Sequence, residues 1–158
     1  MPNQQTLSAS EYTTVPSSIE LSTPSLTHEW LYDGRIFRTT LHDSNHETID
    51  QYASRWLAIM RNAPFMSKSL FVLDISKVAF SAYGRTRSSE LTHFRKDIKS
   101  FVAIVQKGYV EAHFAELVVR TMDRETANVR LRVFPSMHEA LHWLNQMDNN
   151  TVTSGVTK

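Results

Sequence analysis

The chain contains no cysteine. Disulfides, thiolate metal sites and cysteine nucleophiles are therefore excluded. Only four glycines occur in 158 residues, and none belongs to a Gly-rich phosphate loop. No G-x-S-x-G elbow is present to raise a hydrolase serine onto a strand-to-helix turn. No apolar run approaches the roughly 18 residues of a membrane span. Lysine and arginine are missing before Arg35, and no apolar segment stands there, so neither a secretory signal nor a transit peptide is expected. An excess of one charge is also lacking: 17 Lys and Arg against 16 Asp and Glu give a net charge of +1. That balance offers no electrostatic footprint for nucleic acid.

What remains is an ordinary composition, 41% hydrophobic and 21% charged, typical of a globular chain of one-domain size. With no cysteine and no span, a cytoplasmic protein is the expectation. Residues 1–24 are rich in Ser, Thr and Pro without apolar periodicity and read as a flexible tail. Residues 148–158 read the same way, leaving 25–147 as the folded part. No internal repeat divides it.

Within that part, "SLTHEWLYDGRIFRTTLH" holds two β-prone runs around Asp33-Gly34, a two-residue turn with the positive φ of a tight hairpin. "SNHETIDQYASRWLAIMRNAP" reads as a helix. Ser44 and Glu47 form its capping box, Pro64 marks its stop, and Ile49, Tyr52, Ala53, Trp56 and Met60 share a face. "LFVLDI" (70–75) and "FVAIV" (101–105) are nearly unbroken apolar runs, as strands buried on both faces require.

"SSELTHFRKDIKS" carries Leu91, Phe94 and Ile98 at helical spacing. "YVEAHFAELVVRTM" is helical, with Val110, Phe114, Leu117 and Val118 expected inward. "NVRLRVF" alternates, Val129, Leu131 and Val133 opposing Arg130 and Arg132, which gives a strand with one wetter face. That surface offers a place for a homodimer. "SMHEALHWLNQM" closes the chain as a helix capped by Ser136 with Glu139. The order β-β-α-β-α-β-α-β-α predicts an α/β fold, a mixed five-stranded sheet with an N-terminal antiparallel hairpin and about four helices.

The last helix spells His138-Glu-x-x-His142, the zinc metalloprotease pattern. At about 100° per residue, Met137, Ala140, Leu141, Leu144 and Met147 cluster on one side with Trp143 at the edge, and both histidines project to the other. A catalytic zinc needs a dry, shaped cavity instead. The extended form with a third histidine is absent, and Glu139 is already explained by capping. The other histidines (28, 42, 46, 93 and 113) show no ligand spacing. A zinc hydrolase is a remote alternative; no metal, cofactor or catalytic residue is assigned.

The informative segment is "DISKVAFSAYGRTRSSE" (74–90), which follows a buried strand and enters a helix. In open α/β sheets such loops, at the carboxyl ends of strands, are where ligands and partners bind. Asp74, Ser81, Tyr83, Arg85, Arg87 and Ser88 are the candidate residues for a partner or an anion. Arginines beside a helix N-terminus suit negative charge; the same residues also read as a polar loop with N-cap serines. The following helix is locally basic, with Arg85, Arg87, Arg95, Lys96 and Lys99 against Glu90 and Asp97. It suits an acidic partner surface, but no aromatic residues interleave as a single-stranded nucleic acid platform requires.

The element order, "SLFVLDISKVAF" followed by a loop, a helix and "SFVAIVQKG", resembles a STAS domain of the anti-sigma-factor-antagonist type. The ending "RVFPSMHEALHWL", with Val133, Phe134, Ala140, Trp143 and Leu144, is similar to that of small bacterial STAS/Sec14-like proteins. The resemblance covers about 26–147. It implies a STAS-like fold and a non-enzymatic signalling or protein-interaction module, binding an as yet unidentified protein through the loop between strand 3 and helix 2. In the antagonists an Asp-Ser pair after the third strand carries a phosphorylated serine. Asp74 matches the strand-end aspartate, but the chain offers Ser81 without an adjacent acid, and the usual serine position falls near Ala82 or Tyr83. The alternative function is a module that binds a phosphate-containing or lipid-like small molecule.

Overall fold

A computed structural model describes residues 22–79 and 81–150. The elements are β1 (Leu26–Leu31), β2 (Ile36–Leu41), α1 (His46–Asn62), β3 (Lys68–Asp74), α2 (Ala82–Thr92), β4 (Lys99–Val105), α3 (Tyr109–Glu125), β5 (Val129–Phe134) and α4 (Met137–Asn149). The strands form one sheet in the order β1-β2-β3-β4-β5. β1 and β2 are antiparallel, and every later pairing is parallel. The mixed five-stranded α/β architecture with four helices expected from the sequence is therefore present.

Each parallel connection steps one strand in the same direction. Crossovers of a common right hand then place their helices on the same face. Accordingly, the larger core joins α1, α2 and α3 to one side of the sheet, through residues such as Trp56, Leu91, Val119 and Phe71. After β5 no strand remains to be reached, and α4 folds back across the other side. Ala140, Trp143 and Leu144 there meet Ile36, Val72 and Ala103.

In the hairpin, Leu31 pairs with Ile36, the register a two-residue turn would give. The connection nevertheless takes four residues, because Tyr32 joins Asp33 and Gly34 at positive φ (51°, 56° and 82°). Pairing stops a step early, and the Arg35 N–H donates to the Leu31 carbonyl. The Arg35 side chain is drawn instead to Asp148, 2.8 Å away.

α1 buries Ile49, Tyr52, Ala53, Trp56 and Met60, as the periodicity predicts. Its cap differs. Asn45, not Ser44, accepts the N–H of Thr48 at 2.9 Å, and the Thr48 hydroxyl donates to Asp43. Asp43 also accepts the Asn45 N–H, so a three-residue polar brace replaces the Ser44–Glu47 box. Glu47 is left exposed in the first turn, where its charge suits the helix dipole.

α2 starts and ends earlier than the apolar spacing suggests. Ser81 caps it, accepting the Gly84 N–H at 2.9 Å, so residues 82–90 are helix rather than loop. The helix has stopped by His93, and Phe94 lies 39% exposed under the Arg61 guanidinium. Leu91 and Ile98 are buried as expected, the second in a turn. That turn is fixed by the Asn128 amide, which donates to the carbonyls of Arg95 and Ile98. The Arg95 side chain reaches back to the carbonyls of Met60 and Ala63, closing the end of α1.

α3 departs most from expectation. Its buried residues are Ala115, Val118, Val119 and Met122, whereas Val110, Phe114 and Leu117 are 73%, 48% and 51% exposed. Of the four residues expected inward, only Val118 is. The burial of Ala115, Val118, Val119 and Met122 rotates the helix so that the Asp123 carboxylate also accepts the Leu131 N–H on the edge strand β5 at 3.1 Å. With Asp123 there, the stripe that begins with Val119 about 40° of arc away is the one that meets Val102, Ile104 and Leu131.

α4 follows the sequence closely. Ser136 accepts the Glu139 N–H, and Ala140, Trp143 and Leu144 are buried. His138 and His142 are exposed, the latter bonded to Gln146. The helix runs to Asn149, past the expected boundary at 147, because Asp148 is held by Arg35 and by Lys68 (3.1 Å). At the other end, Ser22 accepts the His28 N–H and Thr23 makes an isolated bridge to Leu26, just before β1. The rest of both expected tails, 1–21 and 151–158, lies outside the described residues.

Candidate functional site

The connection from β3 to α2 leaves the carboxyl edge of the parallel strands, as expected for a binding loop. It is held from below. Buried Gln106, just past β4, donates from its amide to the carbonyls of Ile75 and Val78, both at 3.0 Å. The Ile75 and Val78 carbonyls are thus satisfied by a neighbouring side chain and need no ligand.

The structure separates Asp74 from the other candidates. Successive strand residues face opposite sides, and Asp74 falls on the side of Leu70 and Val72, the side that α4 covers. Its carboxylate accepts the Ser76 N–H (3.0 Å) and hydroxyl (2.6 Å) and pairs with Arg38 (3.4 Å), which also holds Glu29 at 2.9 Å. This Glu29–Arg38–Asp74 chain was not foreseen. Its members lie far apart in sequence, and β1–β2–β3 pairing brings them together.

The remaining candidates sit on α2, but most are turned inward or bound to α1. Ser81 is the helix cap. Ser88 lies beneath the helix, beside Tyr52 and Leu91. Tyr83 stacks on His46 with ring centroids 3.9 Å apart, and its hydroxyl donates to Asp50 at 2.6 Å. That hydrogen bond, with burial and the Asp50 charge adding to it, raises the phenol's pKa. Arg87 pairs with Asp50 (3.1 Å) and with Glu90. Arg85 alone among the charged candidates is exposed and has no ion-pair partner among the described residues. Elsewhere on the expected basic face, Arg95 is committed to Asp97 by two bonds of 2.7 and 2.6 Å, which hold the Asp97 carboxyl well below its usual range.

The space beneath the loop is small. The void between Ile49, Ile75 and Ser81 has ≈ 10 Å³, and the one between Trp56, Leu91 and Val119 has ≈ 20 Å³. A small-molecule pocket needs about 300–1,000 Å³. A space of that size is the open groove of ≈ 540 Å³ between α2 and α3, floored by Val118 and Met122 and walled by Arg85, Phe114 and Leu117. The sequence signal for it is the Val110, Phe114 and Leu117 stripe of α3, which the periodicity alone places in the core.

On the side of β5 away from the helical layer, Arg130 and Arg132 are exposed, and Arg132 lies over the Trp143 ring at 5.9 Å. His28 is 1% exposed on β1, stacked on Phe37 and bonded to Thr39, and burial lowers its pKa to about 4. Among the described residues no three His, Asp or Glu side chains converge as a metal site. Among the same residues no helix is long and apolar enough to cross a membrane. No protein-family model matches the chain, and no curated protein matches it.

Proposed function

We propose that this chain is a non-enzymatic STAS-type interaction module of the cytoplasm, binding a protein partner where the β3–α2 connection meets the first turns of α2. The observation that carries this is how the polar groups at that edge are used. Ser81, Tyr83, Arg87 and Gln106 are committed to the fold, and Arg85 projects from the surface they hold rigid. A rigid surface with outward charge suits partner recognition and fast, specific encounter. The voids of ≈ 10 and ≈ 20 Å³ under the loop favour this over a small molecule enclosed there. The exposure of His138 and His142 likewise favours it over zinc hydrolysis.

Photo-crosslinking in the cell of origin tests the reading. A crosslinking amino acid at position 85 should give one defined protein adduct that the same label at exposed Glu139 on α4 does not. Equal adducts at both positions would refute the assignment of the surface.

A further inference from the structure

α3 carries more apolar surface than the sheet can cover. At about 100° per residue, its apolar residues from Val119 round to Leu117 span about 200° of arc. The sheet takes the part holding Ala115, Val119 and Met122, and Val110, Phe114 and Leu117 remain on the outside. Phe114 and Leu117 form one wall of the ≈ 540 Å³ groove, and α2 forms the other. A contiguous exposed apolar strip beside a groove marks a docking surface rather than scattered surface apolar residues.

The charges around the strip identify the kind of partner. Immediately beyond Leu117 on the helical wheel come Arg124 and Arg120, within about 60° of it; both are exposed. On the α2 side stands exposed Arg85. None of these three arginines has an ion-pair partner among the described residues. Among the acids whose side chains are described, Glu90 is paired to Arg87, Asp123 is bonded to β5 and Glu116 lies about 160° from Phe114; Glu111, about 60° from Phe114, folds its carboxylate back over Gly108 at the start of the helix. The apolar strip is thus bordered on both long sides by positive charge.

A second copy of this chain fits that frame poorly. An isologous contact through the strip would set the basic flank against its own copy when the two α3 helices run antiparallel. It would set that flank against Arg85 when they run parallel. We infer that the α2–α3 groove receives an amphipathic helix of a partner protein, its apolar face on Phe114 and Leu117 and its flanks acidic. This is helix-in-groove recognition with electrostatic selection. The inference rests on the interaction reading above and extends that surface from α2 onto α3.

The test uses the full chain and a labelled helical peptide about 16 residues long, with leucines at i, i+3, i+4 and i+7 and glutamates on both flanks. Fluorescence anisotropy should show saturable binding that weakens at least about tenfold in Leu117→Asp, since an anchor side chain is lost and a like charge added. A peptide with lysine in place of each glutamate should bind at least about tenfold more weakly than the acidic one. Phe65→Ser, which removes a 78% exposed aromatic at the opposite end of the strands, should change nothing. Leu117 is half exposed, so the variant should keep the wild-type circular dichroism and melting temperature.

Equal binding of the two peptides overturns the inference, as does wild-type affinity in Leu117→Asp or a loss in Phe65→Ser. A concentration-dependent dimer abolished by Leu117→Asp also overturns it, assigning the strip to self-association. The two proposals separate cleanly. Peptide binding lost in Leu117→Asp, with no defined adduct from the crosslinker at position 85, keeps the groove and discards the loop surface. A defined adduct at position 85, with undiminished peptide binding in Leu117→Asp, keeps the loop surface and discards the groove.

Discussion

α3 and α4 are both amphipathic helices whose apolar spacing reads clearly, yet one stripe is core and the other is surface. Among the described residues α4 is the one helix on its face of the sheet, and its stripe is seated there, with Ala140, Trp143 and Leu144 buried and Met137, Leu141 and Met147 packed beside them. α3 lies beside α2 and carries two overlapping stripes. The sheet takes Ala115, Val118, Val119 and Met122 and leaves Val110, Phe114 and Leu117. Apolar periodicity therefore locates a core face only when the apolar arc is no wider than the surface available to bury it. Where it is wider, part of the arc is seated, here with Asp123 bonded to the Leu131 N–H beside it, and the surplus arc becomes surface.

The comparison is broken most directly by truncating the two stripes. Leu144→Ala removes a fully buried side chain under α4 and should cost about 2–5 kcal/mol in urea unfolding. Comparable stability in that variant and the wild type would mean that α4 is not seated as described.

A control independent of both helices is the buried His28. Its pKa is lowered to about 4, by burial first and by the Arg55 charge second. The unfolded chain takes up a proton near pH 6.5 that the folded chain refuses. The stability this group contributes is therefore complete above about pH 6.5 and is lost progressively as pH falls toward 4. Urea midpoints at pH 7 and pH 4.5 should differ by about 2–3 kcal/mol more in the wild type than in His28→Gln. Parallel pH profiles in the two proteins would place the histidine in water.

Within α3, Ala115→Leu pushes a larger side chain into the seated arc, where Ala115 is 1% exposed, and should destabilise by about 1–3 kcal/mol. Leu117→Ala, two residues on but on the exposed arc, should stay within about 0.5 kcal/mol of wild type. If the order of these two effects were reversed, the rotation of α3 would be wrong and its first stripe would be the core.

The sheet was legible because the central strands are nearly continuous apolar runs, "LFVLDI" and "FVAIV", and because β5 alternates. Both patterns follow from how many faces of a strand are covered. α4 was legible from one stripe and one cap. The start of α2 was hidden because its first turns, Ala82 to Arg87, carry no apolar stripe, and only the Ser81 cap announces them. The candidate site was half legible. Arg85 is where the sequence put it, but Tyr83 and Arg87 are bound to Asp50, more than thirty residues earlier on α1. Asp74 faces the far side of the sheet, a parity set by strand register. Long-range pairing of polar groups leaves no periodic trace in a sequence, and that is why the loop looked freer than it is.

The central claim is that the surplus apolar arc of α3, framed by basic residues, is a docking surface and not a piece of core. The most direct test pairs two readings on Leu117→Asp: its urea midpoint and its affinity for the acidic amphipathic peptide. The account predicts an unchanged midpoint with at least about tenfold weaker binding. A large fall in the midpoint, or undiminished binding with the fold intact, would contradict it.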